Sequence, residues 1–143
     1  MDLNSHHKQM CPTTAAAAAT GAAALTMLAL DAVWLTLNAS KHAALIKTVQ
    51  GSAVQLRVIP ALLVYVLIPL AVAYFAIAPS KTQAEAATKG ALLGTAMYGL
   101  YDLTNLASLK GWTTAMAITD TLWGTVLCGI GATAGFYVKQ RYA

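Results

Sequence analysis

Four long apolar stretches alternate with short polar ones along this chain. They run over about residues 14–38, 54–78, 84–108 and 113–137. About 20 apolar residues carry a helix across a bilayer core, so each stretch is long enough to span. The polar punctuation fits helix ends. Thr13 or Thr14 caps the first stretch, Pro79 ends the second, and Leu109-Lys110-Gly111-Trp112 forms a turn too short for anything but an antiparallel hairpin. The pattern predicts an all-α fold, a polytopic four-helix transmembrane bundle with both termini on one side. Residues 1–12 read as a polar tail and 13–143 as one domain.

Between the first two spans, residues 38–53 read as a polar connection, with a short interfacial helix over Ala43-Ala44-Leu45-Ile46. The second span opens with Gln55 and Arg57 in its first turn and meets Pro69 midway, where a kink is expected. Gly90 and Gly94, and later Gly131 and Gly135, are four residues apart, a spacing that lets membrane helices approach closely. The alanine-rich start resembles a signal peptide in outline, but its length favours a first transmembrane helix.

Composition sharpens this picture. The 143 residues are 58% hydrophobic and 10% charged, against about 25% charged for a soluble domain. The lipid bilayer is therefore the first partner. The net charge of +4 comes from single Lys and Arg residues at turns and termini, which suits headgroup anchoring and gives no nucleic-acid footprint. Counting bases on the two sides sets Lys8, Lys81, Lys89, Lys139 and Arg141 against Lys41, Lys47, Arg57 and Lys110. That near balance leaves orientation open, and nothing in the chain names the membrane. Cys11 and Cys128 lie at opposite ends of the chain and form no zinc spacing; His6-His7 sit in the tail. No metal site and no cofactor are expected.

Three of the five acidic residues fall inside predicted spans: Asp31, Asp102 and Asp120. An acid at membrane depth costs roughly 2.5–3.5 kcal/mol on insertion scales. Asp102 shares one helical face with Tyr98, Tyr101 and Asn105, at spacings of three, four and seven from the first tyrosine. Counted from the span ends, the three acids lie at one level, roughly 9–11 Å from the surface where the first span ends and the fourth begins. Asp31 is followed by Trp34, and Asp120 by Trp123, at the same offset. Chance and internal duplication both account for that echo. Like charges held close in low dielectric cannot all ionise, and Arg57 is available as a counter-charge.

The segment Tyr101-Asp102-Leu103-Thr104-Asn105-Leu106-Ala107, then Leu109-Lys110-Gly111-Trp112, then Asp120 with Leu122-Trp123-Gly124, resembles the signature of an uncharacterised family of small predicted membrane proteins. Asp31 with Trp34 is similar to its first-helix pattern, and the resemblance covers roughly residues 25–137. It implies four spans without a soluble domain, and it brings no activity.

Three functions fit the residues. One is a proton- or cation-coupled carrier or channel module, with Asp102 as the titrating acid, Asp120 and Asp31 as its partners, Asn105 as a ligand, and Tyr98, Tyr101, Trp34, Trp123 and Arg57 completing the cluster. A homo-oligomer packed through the glycine pairs would complete its pathway. Another is a structural or accessory subunit of a larger membrane complex, in which the polar cluster fixes helix register. The last is a lipid-modifying enzyme. It has the least support, because the chain lacks a nucleophile motif, a His-rich metal motif and a phosphate-binding glycine loop, and no catalytic residue is assigned.

Overall fold

The computed structural model describes residues 12–142, all of whose regular structure is helical. Cys11 and the His6-His7 pair lie outside the described residues. Helix α1 spans Pro12–Gln50, α2 spans Val58–Ala71 and continues as a π-helical segment, Val72–Ile77, α3 spans Gln83–Ser108, and α4 spans Thr114–Tyr142. Three of these stretches, residues 13–50, 58–77 and 114–142, are long and apolar enough to cross a membrane. Helix α3 has 26 residues but carries Glu85, Lys89, Asp102 and Asn105, which lower its hydropathy. It packs along α4 in the most extensive helix pair of the fold.

Helix α1 is longer than the expected first span. Its 39 residues extend about 58 Å at 1.5 Å per residue. Residues 38–50, expected as a polar connection, continue the helix because they are polar without containing a breaker. The helix ends at the first residue that can stop it. Gly51 adopts φ +74° and its N–H reaches Lys47 O at 2.9 Å, a left-handed C-terminal cap. The next helix begins at Val58, so Arg57 stands at its N-cap in extended backbone and not within its first turn.

Small residues set the helix spacing. Ala15, Ala19, Ala23 and Met27 form a buried stripe along α1 at steps of four. Opposite it, a Cβ at Gly135 would come within 2.8 Å of Ala19 O, and one at Gly131 would meet the Met27 side chain. On the other side of α4, a Cβ at Gly90 would come within 2.5 Å of Cys128 O, one at Gly94 would collide with the backbone of Gly124, and one at Gly124 would enter the Tyr98 ring. Both glycine pairs are thus consumed inside the bundle, α3 on α4 and α4 on α1.

Helix α2 is attached at one end. Residues 58–67 leave almost all their side chains exposed, whereas Pro69, Val72, Ala76 and Ile77 are buried. Pro69 has no N–H to give the helix, and the π register begins three residues later, with Ala78 N–H bonded to Ala73 O at 2.8 Å. Lys139 closes that end, its Nζ donating to Ile77 O, Ala78 O and Ser80 O at 3.1, 2.8 and 3.2 Å. A cation on the last carbonyls of a helix complements its dipole. The core lies around this junction, with Ala19, Ala23, Val72, Ala76, Ala132 and Phe136 all buried. Away from it, α2 leaves a gap beside α1 and α4.

Candidate binding site

The hairpin turn builds the first part of the polar level. Trp112 N–H bonds to Leu109 O at 3.2 Å, with Gly111 between them at φ +98°. A left-handed third residue is what a type II turn requires. The turn folds Trp112 back along α3. Its Nε1 donates to Asp102 Oδ1 at 3.3 Å, and Thr121 Oγ1 of α4 donates to Oδ2 at 3.4 Å. The Asp102 side chain is completely buried. Tyr101 stands at the rim, exposed, its ring edge-to-face on Trp112 at 5.9 Å. Asn105 is half-buried and its Nδ2 has no partner. The expected face of Tyr98, Tyr101, Asp102 and Asn105 is therefore divided: Tyr101 turns outward, and Asp102 is enclosed by donors.

The second part lies between α1, α2 and α4. Trp34 and Trp123 stack face to face, centroids 4.6 Å apart and planes within 6°. Trp123 Nε1 donates to Asp31 Oδ1 at 3.0 Å, and Tyr65 Oη of α2 donates to Asp31 Oδ2 at 2.7 Å. Helices α1 and α4 run antiparallel, so the same acid-and-tryptophan spacing runs in opposite directions along them, and the two indoles meet between them. By that symmetry Trp34 Nε1 would donate to Asp120. It does not: Trp34 Nε1 is buried without a partner, and Asp120, half-buried, makes no hydrogen bond or ion pair among the described residues.

Both groups border one cavity of about 310 Å³, whose wall also includes Asp31, Tyr65, Tyr98 and Trp123. His42 stands at its edge and, with Trp34, also borders a second cavity of about 440 Å³. That second space carries Asn38, Lys41, Thr48, Thr113 and Thr119, and lies at the end where α1 stops and α4 starts. In the opposite direction the first cavity ends on Met27 and Leu127, both buried. The two spaces together resemble a vestibule with one closed end.

The predicted site residues thus fall into two groups. Asp31, Trp34, Tyr98, Asp120 and Trp123 share the cavity. Asp102, Tyr101 and Asn105 do not border it, and Arg57 is exposed and outside any ion pair; among the described residues the single salt bridge joins Lys89 to Glu85. Two polar residues of the cavity, Tyr65 and His42, were not among the site candidates read from the sequence. Tyr65 is a phenol in the middle of an apolar span, which was its signal. His42 falls on the Asp31–Trp34 face at steps of three, four and four through Asn38, a relation visible only once α1 is known to continue. Among the described residues, no group of three or more His, Cys, Asp or Glu side chains has metal-holding geometry.

Residues 16–137 match the model of a family described as "Predicted membrane protein (DUF2177)". No curated protein and no solved structure matches the chain. The match covers most of the sequence, and the chain belongs to this family of predicted membrane proteins.

Proposed function

We propose that this membrane protein is a carrier or channel module that takes up a proton or a cation in the cavity between α1, α2 and α4. The observation that carries the reading is the unequal treatment of the acids. Asp31 and Asp102 each receive two donors, whereas Asp120 receives none and faces a space. A carboxylate that only fixed helix register would be expected to have its oxygens satisfied, as Asp102 has. An intramembrane acid left open toward a cavity suits an exchangeable charge. Asp120 is then the exchanging group, Asp31 its neighbour held in place by Trp123 and Tyr65, and Asp102 a strut between α3 and α4.

The vestibule supports uptake from the end carrying Lys41, Thr48 and Thr113, and the packed small residues beyond Met27 seal the other end. The test is pH-dependent proton or potassium flux in proteoliposomes. Asp120→Asn is expected to reduce flux at least tenfold, and Asp102→Asn, where the protein remains folded, to leave it within about twofold. Equal flux in the wild type, Asp120→Asn and protein-free vesicles would refute transport and favour an accessory subunit of a larger membrane complex.

A further inference from the structure

We infer that the cavity between α1, α2 and α4 binds a small organic ammonium compound bearing an oxygen acceptor, through Asp120 and the indole N–H of Trp34. This rests on the functional reading above and names the class of its cation. Two residues that border the cavity carry unspent polar groups of opposite kind. Asp120 is an acceptor without a donor, and Trp34 Nε1 is a buried donor without an acceptor. A bare metal cation satisfies the first and leaves the second orphaned. A buried N–H with no partner costs roughly 1–3 kcal/mol, so the preferred occupant supplies both a positive donor and an oxygen.

The rest of the wall agrees. The Trp34–Trp123 stack, Tyr65 and Tyr98 surround the space with aromatic surface, which attracts ammonium groups through the ring quadrupole and suits the methylene groups of an organic cation. Asp31, already holding Tyr65 and Trp123, adds negative potential while leaving Asp120 as the open acceptor. His42 at the edge, and Lys41 farther out in the vestibule, face the oxygen-bearing end of such a ligand. A volume near 310 Å³ is at the lower end of the range for small-molecule pockets. The shared chemistry, an ammonium with a nearby oxygen, occurs in free amino alcohols and in the ethanolamine headgroup of a phospholipid.

The experiment titrates the full-length protein, purified in detergent and depleted of lipid, with ethanolamine, following tryptophan fluorescence. Tetramethylammonium, which lacks the oxygen, and potassium, which lacks both oxygen and carbon, are the comparison probes. A parallel arm replaces free ethanolamine with nanodiscs of phosphatidylethanolamine or phosphatidylglycerol. Saturable binding of ethanolamine is expected, at least tenfold tighter than potassium. Asp120→Asn should weaken it at least tenfold, and Trp34→Phe should weaken ethanolamine several-fold while leaving tetramethylammonium unchanged. A response confined to phosphatidylethanolamine nanodiscs supports the same site with the lipid as its source. Equal binding of potassium and ethanolamine, or ethanolamine binding unaffected by Asp120→Asn, overturns the inference. If ethanolamine fails to bind while Asp120→Asn still abolishes proton flux, the inference falls and the transport reading stands.

Discussion

At the residue scale Asp31, Asp102 and Asp120 differ in their hydrogen-bond partners, and the proposed roles follow from that difference. Asp102 is buried and accepts from Trp112 and Thr121. Replacing it with alanine leaves both donors unsatisfied, and each buried orphan costs roughly 1–3 kcal/mol. Asp102→Ala is therefore expected to lower stability by at least about 1 kcal/mol in thermal unfolding in detergent. Asp120→Asn removes no partner and is expected to change stability by less than about 0.5 kcal/mol. If the two variants melted together well below the wild type, the division of roles would be wrong. That division was not legible in the sequence. Spacing and depth predict Asp31, Asp102 and Asp120 at one level; in the fold Asp31 pairs with Trp123, one turn beyond Asp120 on α4, and Asp102 with Thr121. Which acid is left without donors depends on where Trp112 lands after the turn and on how far α2 stands from α1. Neither has a local signal.

At the element scale, glycine and proline placement controls the architecture. The pairs Gly90/Gly94 and Gly131/Gly135 were legible as close-packing motifs, but a sequence cannot say which surface they face. Here they face the chain's own helices, so an oligomer, if one forms, uses other surfaces. Gly94→Ala and Gly124→Ala each place a methyl group against backbone or a ring that has no room for it. Overpacking of this kind costs about 1–3 kcal/mol. Gly21→Ala, where nothing lies within 4 Å of the added carbon, is expected to be neutral or stabilising by up to about 1 kcal/mol. Melting temperatures of the three variants check this, and a Gly94→Ala protein as stable as Gly21→Ala would contradict the α3–α4 packing. Helix α1 shows the opposite lesson. Polarity over residues 38–50 suggests a loop, yet a helix is ended by backbone chemistry, and the first residue able to do that is Gly51. Pro69 was legible as a disruption. What it produces, a π-helical segment that docks one end of α2 and leaves the other apart, emerges only with Lys139 and the core in place.

At the scale of the whole molecule, the bundle is tight at one end and open at the other. The tight end is built from alanine, glycine and Phe136. The open end results from the long α1, the departing α2 and the short α3–α4 turn, and it gives the cavity a polar approach past His42 and Lys41. This asymmetry suits the proposed uptake from one side, with Asp120 facing the open space and Asp31 and Asp102 held by donors. The most direct test is carboxyl-region infrared difference spectroscopy on the reconstituted protein during a pH change, comparing the wild type with Asp120→Asn and Asp102→Asn. A carboxyl band is expected that responds to pH, vanishes in Asp120→Asn and persists in Asp102→Asn. A responding band that survives Asp120→Asn and is lost in Asp102→Asn would contradict the proposed role of Asp120.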